Sequence, residues 1–155
     1  SKALEQLVGA DWGDAELLLL DLPPGTGDVQ ISMLQKYKPA GAVLVSTPQD
    51  LALIDAARAG QLFEQGQVPI IGLVENMAGY VCPHCGEWSD PFGKGGFEQL
   101  AERLDIPFLG RIPLCMEIRK SSDAGQPLAA SESDASNAFA QIAAGVSRWL
   151  AEGAV

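Results

Sequence analysis

The stretch Leu17 to Asp28, with the sequence LLLLDLPPGTGD, decides how the rest of the chain is interpreted. Its four leucines, Leu17 to Leu20, form an apolar run that is too short for an independent helix. Such a run is typical of a strand that is buried on both faces of a parallel sheet. The run ends at Asp21, and the carboxyl end of such a strand is where open α/β sheets bind their ligands. The stretch therefore predicts a buried strand that leads into a ligand-binding corner.

A rigid turn follows the predicted strand. Its prolines fix φ and remove hydrogen-bond donors, whereas its glycines permit positive φ and a close approach of the backbone to a ligand. Thr26 adds a hydroxyl group, and Asp28 can cap a helix that starts at Val29. An ordinary turn with a capping aspartate is the competing interpretation. Taken as a whole, the stretch favours a corner that binds a metal ion and phosphate groups.

The composition limits the class of protein. The 155 residues suit a single domain over 1–155, and 47% hydrophobic residues are enough for a core. The net charge of −10 argues against a general nucleic-acid-binding or anionic-membrane surface. No apolar run approaches the length that spans a membrane, and we see no signal peptide. We therefore expect a cytoplasmic protein with neither a nucleic-acid nor a membrane partner.

Hydrophobic periodicity predicts alternating helices and strands. The predicted helices cover 2–10, 29–38, 51–65, 97–104 and 136–151, and the predicted strands cover 17–20, 42–46, 69–75 and 107–112. Their order and the lengths between them predict an α/β fold, with a mostly parallel sheet and flanking helices in right-handed crossovers. The polar segment 121–134 resembles a linker, but it is too short to separate two domains.

Two of the three cysteines, Cys82 and Cys85, lie in the sequence Cys-Pro-His-Cys. Two thiolates at this spacing can bind one metal side by side, but they supply only two of the four ligands of a tetrahedral zinc ion or a four-cysteine cluster. Two copies across a symmetric dimer interface would supply all four. The odd count fits a metal site in a reducing compartment better than a disulfide framework. We expect the third cysteine, Cys115, to be a small buried hydrophobe.

Five segments in series resemble a known family. The likeness begins at DLPPGTGD and continues through STPQDLALIDAARAGQLFE, GLVENMAGYVCPHCGE, FGKGGFEQLAERLDIPFLGRIPL and IRKSSDAGQPL, from about Leu17 to Leu128. On these motifs the chain resembles the Mrp/ApbC group of P-loop NTPases. These proteins are relatives of the MinD and ParA ATPases and are described as iron–sulfur cluster carriers or scaffolds.

The resemblance implies a role for each candidate site residue. Asp21 corresponds to the Walker B acid, which holds Mg²⁺ for ATP hydrolysis, and a single carboxylate suffices because Mg²⁺ retains several waters. Asn76 matches the asparagine that reads adenine, although an ordinary loop asparagine is a fair alternative. Arg119 lies in a segment that the family places near the base, but a surface ion pair is equally compatible. The residues that correspond to the γ-phosphate-sensing switch are Pro23, Gly25, Thr26, Gly27 and Asp28.

One expected motif is absent from the sequence. Nothing matches the phosphate-binding pattern G-x-x-x-x-G-K-[ST], and we interpret Gly93 to Gly96 as the glycine-rich start of a helix. We therefore expect the chain to be the C-terminal portion of a longer P-loop NTPase domain. We predict that this portion alone does not hydrolyse ATP, whereas the intact protein does.

Two functions remain open. The resemblance implies an ATP-dependent iron–sulfur cluster carrier that uses ATP and Mg²⁺. It would bind a labile [4Fe–4S] cluster between the subunits of a homodimer, through the Cys82 and Cys85 loop, and deliver it to acceptor proteins. The alternative is a MinD/ParA-like ATPase or binding module in which the same cysteine pair holds a structural zinc ion, since thiolates bind both metals.

Overall fold

The computed structural model of the chain describes residues 2–23, 27–128 and 133–153. The helices in this part are α1 Lys2–Val8, α2 Asp28–Lys36, α3 Asp50–Gln65, α4 Phe97–Leu104, α5 Met116–Asp123 and α6 Asp134–Ala151. The strands are β1 Ala42–Ser46, β2 Ile70–Asn76, β3 Tyr80–Val81, β4 Trp88–Ser89 and β5 Phe108–Ile112. Within these ranges, no helix is both long enough and apolar enough to cross a membrane.

Three of the strands form a parallel sheet in the order β1, β2, β5. The central strand β2 is buried from Ile71 to Glu75, as expected of a parallel strand that is covered on both faces. Ser46 of β1 pairs with Glu75, and Asn76 pairs with Ile112 of β5. The carboxyl ends of all three strands therefore lie at one edge of the sheet, where ligands bind in open α/β folds.

Helices cover both faces of this sheet. On one face, Leu73 of β2 belongs to the larger core, together with Met33 of α2 and Phe97 of α4, and these three side chains are almost fully inaccessible to solvent. On the other face, Val74 packs in a smaller cluster to which α6 contributes Ile142. Leu73 and Val74 lie in opposite layers because successive side chains alternate across a strand. The predicted α/β fold with a parallel sheet and flanking helices is confirmed.

The predicted strand over 17–20 is wrong. Residues 17–20 have no regular secondary structure, and no described strand pairs with them. All four leucines are exposed, and Leu19 retains 83% of its accessible surface. A strand buried in a sheet needs neighbouring strands that form hydrogen bonds with its backbone N–H and C=O groups. The apolar run favours burial, but without a neighbouring strand it stays outside the sheet, and the chain rejoins the core only at Leu22.

Two smaller predictions also need correction. Asp28 does not cap α2 but is its first residue, while Gly27 takes the N-cap position without a side-chain hydrogen bond. A carboxylate in the first turn still lies favourably near the positive end of the helix dipole. The polar segment expected to be a linker begins inside α5, which includes Ser121 to Asp123.

Candidate functional site

The turn after Asp21 is tied to α2 by a glutamine. Gln30 is buried, and its Nε2 donates a hydrogen bond of 2.5 Å to the backbone carbonyl of Pro23. Pro23, Gly27 and Asp28 are exposed at the two ends of the turn, whereas the candidates Gly25 and Thr26 lie outside the described residues. Gln30 was not among the residues predicted from the sequence. A polar residue among the apolar positions of a predicted helix was the signal that could have revealed it.

Asp21 lies in the exposed, irregular segment that precedes this turn. The predicted position of Asp21, at the carboxyl end of a buried strand, is wrong, because residues 17–20 are not part of the sheet. Asp21 is exposed to solvent, and within residues 2–23, 27–128 and 133–153 its carboxylate makes no hydrogen bond or ion pair.

Asn76 lies at the carboxyl end of β2, as the sequence predicted, and the structure shows that β2 is the central strand of the sheet. It is half-buried, and its Oδ1 accepts a hydrogen bond of 2.9 Å from the backbone N–H of Met77. Met77 has a positive φ of 57°, so the chain turns sharply away from the sheet at this point. Since the side-chain oxygen is already used locally, the Nδ2 group of Asn76 is the part that remains to donate to a ligand.

Cys82 and Cys85 lie together in a tight hairpin. Strands β3 and β4 form its antiparallel stem, in which Val81 pairs with Trp88. The backbone N–H of Cys82 donates to the carbonyl of Glu87, and the N–H of Gly86 donates back to the carbonyl of Cys82, both at 2.9 Å. These bonds close the loop between the cysteines, so both thiols are carried by one short, hydrogen-bonded turn.

The hairpin favours the thiolate form of Cys82. Hydrogen bonds from the backbone N–H groups of Cys85 and His84, and then from the Cys85 thiol, lower the pKa of Cys82 below its ordinary value of 9.0. A thiolate is the form of cysteine that binds metal ions. Cys82 is half-buried and Cys85 is exposed, so an incoming metal can reach both sulfur atoms.

The hairpin supplies two ligands and no more. Among the described residues, no group of three or more histidine, cysteine, aspartate or glutamate side chains could hold a metal ion. The third cysteine, Cys115, was predicted to be buried, but it is half-buried and occupies the N-cap position of α5. Two thiols fit one half of a four-thiolate site, which a second copy could complete.

Arg119 makes a local contact on α5. Its Nη1 donates to Oδ2 of Asp123 at 2.8 Å, one turn further along the helix, and both side chains are largely exposed. This is the surface ion pair that sequence analysis kept open for Arg119. Such exposed pairs contribute little to stability, on the order of 0.3–0.5 kcal/mol.

Glu75, which precedes Asn76 on β2, was likewise not predicted from the sequence. Its side chain is 3% exposed, and its Oε1 lies 3.7 Å from Nε of Arg111, its cross-strand neighbour on β5. Burial raises the pKa of Glu75 above its ordinary value of 4.5, and Arg111 opposes this shift. The signal was present in the sequence, since an acid at the end of the run IIGLV is as unusual as Asp21 after four leucines.

The fold defines a class of protein. The structure superimposes on the septum site-determining protein MinD from Pyrococcus horikoshii, complexed with Mg-ADP, with a TM-score of 0.72 over 95% of this chain and 56% of that chain, at 22% identity. It also superimposes on a nucleotide-binding protein from Archaeoglobus fulgidus in complex with ADP, with a TM-score of 0.66 over 74% of this chain and 47% of that one, at 44% identity. The chain therefore has the fold of MinD-type P-loop NTPases.

A narrower family follows from the sequence comparison. The family described as ParA: NUBPL iron-transfer P-loop NTPase matches residues 1–147, and the chain belongs to this family. A mouse relative, the iron-sulfur cluster transfer protein NUBPL, is 46% identical over 151 residues, which is 96% of this chain and 47% of the relative. The family that the sequence motifs predicted is thus confirmed. The chain spans about half the length of the curated relatives that it matches, between 41% and 49% for those compared.

Proposed function

We propose that this chain is the cluster-binding part of an ATP-dependent iron–sulfur cluster carrier. A labile [4Fe–4S] cluster would be its cargo, held by Cys82 and Cys85 of two copies of the chain and passed to acceptor proteins. The observation that carries the proposal is the hairpin, which presents two accessible thiols side by side and favours the thiolate of Cys82. Membership of an iron-transfer family supports iron–sulfur as the cargo.

Two ligands per chain support a dimeric site. A cluster that uses four thiolates is incomplete on one copy of the chain and complete on two. Because a ligand that binds only the dimer stabilises it by mass action, cluster binding and dimerisation would be linked. The sharing of four ligands between two copies would also make the cluster labile, because separation of the copies would remove half of its ligands at once.

Nucleotide binding would use the carboxyl end of β2, where Asn76 lies, and the exposed segment that contains Asp21. Asp21 would hold Mg²⁺, the turn from Pro23 to Asp28 would respond to the γ-phosphate, and Asn76 would donate to the adenine ring. Arg119 would lie near the base once its ion pair with Asp123 opens. The sequence contains no phosphate-binding loop with the pattern G-x-x-x-x-G-K-[ST]. ATP hydrolysis would therefore require a longer P-loop NTPase domain that contains both this chain and such a loop.

The cysteine assignment is tested with three serine variants. Cys82→Ser and Cys85→Ser should each abolish metal retention and metal-dependent dimerisation, because each removes two of four ligands from a symmetric dimer. Cys115→Ser is the matched control, and it should retain the metal at a stability cost of about 1–3 kcal/mol at most. The measurements are iron, sulfide and zinc content together with mass by light scattering. Loss of metal from the Cys115 variant, or a full cluster on a monomer, would contradict the bridging site.

The nature of the metal is tested by reconstitution. After anaerobic incubation with iron and sulfide, a broad visible charge-transfer absorption is expected, and it should disappear when an acceptor protein removes the cluster. Tight zinc binding without that absorption would instead support the alternative function, in which the pair holds a structural zinc ion.

The nucleotide assignment is tested separately. The 155-residue chain alone should show no ATP hydrolysis. In a protein that carries both this chain and a phosphate-binding loop, Asp21→Asn should impair Mg²⁺-dependent hydrolysis and leave the far-UV circular dichroism unchanged, since the Asp21 carboxylate is exposed. Unchanged turnover in that variant would remove Asp21 from the site.

A further inference from the structure

The glycine-rich turn, Gly93 to Gly96, covers a buried acid. The side chain of Glu75 on β2 is 3% exposed, and its Oε2 has almost no accessible surface. This oxygen accepts no hydrogen bond from the part of the chain that the structure describes. A Cβ atom at Gly95 would overlap the carboxylate, so the backbone of Gly95 lies directly against it. The turn can cover the acid only because position 95 has no side chain.

The nearest base is shared with a second acid. The Nε of Arg111 on β5 lies 3.7 Å from Oε1 of Glu75, which is too far for a hydrogen bond. Its Nη2 instead donates to Oε2 of Glu98 on α4, at 2.5 Å. Glu98 and Asp90 both act on Glu75 as negative charges, against the positive charge of Arg111. The carboxylate form of Glu75 is therefore only partly compensated.

The other elements around Glu75 add no base. Within residues 2–23, 27–128 and 133–153, Arg111 is the only base that forms an ion pair with Glu75. Lys94, in the turn itself, is exposed. Ser46 of β1, which pairs with Glu75 in the sheet, is uncharged, and α3 contributes the apolar Leu53 beside the turn.

The two protonation states of Glu75 suit this packing unequally. A carboxylate is costly to bury without donors, whereas the neutral acid loses less hydration on burial. In agreement, burial raises the pKa of Glu75 above 4.5, although Arg111 opposes the shift. Movement of the turn away from β2 would let water donate to Oε2. The neutral acid therefore favours a closed turn, and the carboxylate favours an open one.

The turn is built so that it can move without its surroundings. Three of its four residues are glycine, which is the least restricted residue in φ and ψ. Its amide at Gly93 donates to the carbonyl of Asp90 at 3.0 Å, and its carbonyl at Gly96 accepts from the amide of Leu100 at 2.9 Å. Phe97, directly after the turn, is fully buried and anchors α4 in the core. An opening would thus be confined to the segment between Asp90 and the first turn of α4.

We propose that Glu75 and the glycine-rich turn form a proton-controlled latch. The turn is closed over β2 while Glu75 is neutral, and it opens when the acid gives its proton to water and the carboxylate becomes hydrated. Since Oδ1 of Asp90 accepts from the indole Nε1 of Trp88 at 3.2 Å, opening would also loosen the stem of the cysteine hairpin. The latch does not depend on the iron–sulfur function, because it uses neither cysteine.

The latch is tested by amide hydrogen exchange of the wild-type chain, followed by NMR between about pH 4 and 8. The amides of Gly93 and Leu100 report opening, because their hydrogen bonds involve the turn. After correction for intrinsic exchange, their opening equilibrium should rise by up to about tenfold per pH unit above 4.5 and level off once Glu75 is ionised in the closed state. The amide of Gly66, bonded to Leu62 at the end of α3, is the reference and should show no such rise.

Three variants identify the proton. Glu75→Gln has no proton to lose, so the pH dependence at Gly93 and Leu100 should disappear. Glu98→Gln leaves Arg111 free to pair with Glu75, so the rise should be smaller and level off at a lower pH. Asp55→Asn is the matched control, because it removes one acid from an exposed ion pair on α3 and should leave the profile unchanged.

Three results would overturn the latch. The first is an equal rise at Gly66 and Gly93, which would show unfolding of the whole chain instead of a local opening. The second is an opening equilibrium of the wild type that does not change with pH. The third is a pH dependence that persists in Glu75→Gln. The first two use the wild type alone, so they decide the question even if the Glu75 variant fails to fold.

Discussion

Two glycines of the cysteine hairpin offer a matched test of how the hairpin is held. Gly79 has φ of 70° and Gly86 has φ of 72°, so both lie in the left-handed region that strains any other residue. They differ in their surroundings. A Cβ atom at Gly79 would overlap the indole ring of Trp88, whereas nothing lies within 4 Å of a Cβ atom at Gly86.

The expected magnitudes follow from this difference. Alanine at either position should cost about 1–2 kcal/mol through the backbone alone. At position 79 the displaced indole adds an overpacking cost of about 1–3 kcal/mol. Gly79→Ala should therefore lower the free energy of unfolding by about 2–5 kcal/mol, and Gly86→Ala by about 1–2 kcal/mol.

Urea denaturation followed by circular dichroism measures both values, and a double-mutant cycle isolates the indole. In a Trp88→Ala background the extra cost at position 79 should disappear, because the overlapping ring is gone. Metal content should fall in Gly79→Ala, since Trp88 belongs to the stem that carries both cysteines. Equal destabilisation by the two alanine variants, or an extra cost at position 79 that survives the removal of Trp88, would refute the packing of Gly79 against Trp88.

Two further predictions test other parts of the structure. Leu19→Gln should change the free energy of unfolding by only about 0.5 kcal/mol or less, because Leu19 is 83% exposed. A decrease in that free energy of about 2–5 kcal/mol would show that residues 17–20 are buried. Burial raises the pKa of Glu75 above 4.5, so the unfolded chain releases this proton at a lower pH than the folded one. The free energy of unfolding of the wild type, relative to that of Glu75→Gln, should therefore fall as the pH rises from below 4.5 towards neutrality. Urea denaturation across that range measures this difference, and a difference that does not change with pH would contradict the prediction.

Hydrophobic periodicity and helix-breaking residues predicted most of the helices and strands, because these signals depend only on residues that are close together in the chain. The strand AVLVS and the helix from Phe97 to Leu104 have the predicted bounds, since periodicity and breaking residues decide where they begin and end. The cysteine pair was equally visible, because two cysteines separated by two residues lie in one turn. The short helix α5 escaped prediction because its sequence, MEIRKSSD, is mostly polar and none of its residues is buried.

The sequence by itself determined the family and the α/β class, and it singled out Cys82 and Cys85 as the candidate metal ligands. Only the tertiary structure decided which apolar and which acidic residues are buried. The four leucines are exposed because no described strand pairs with them. Glu75 is buried because its strand is central and because Arg111 of β5 and Gly95, which precedes α4, lie close to its carboxylate. Burial depends on contacts between segments that are distant in the chain, and a run of residue types does not contain those contacts.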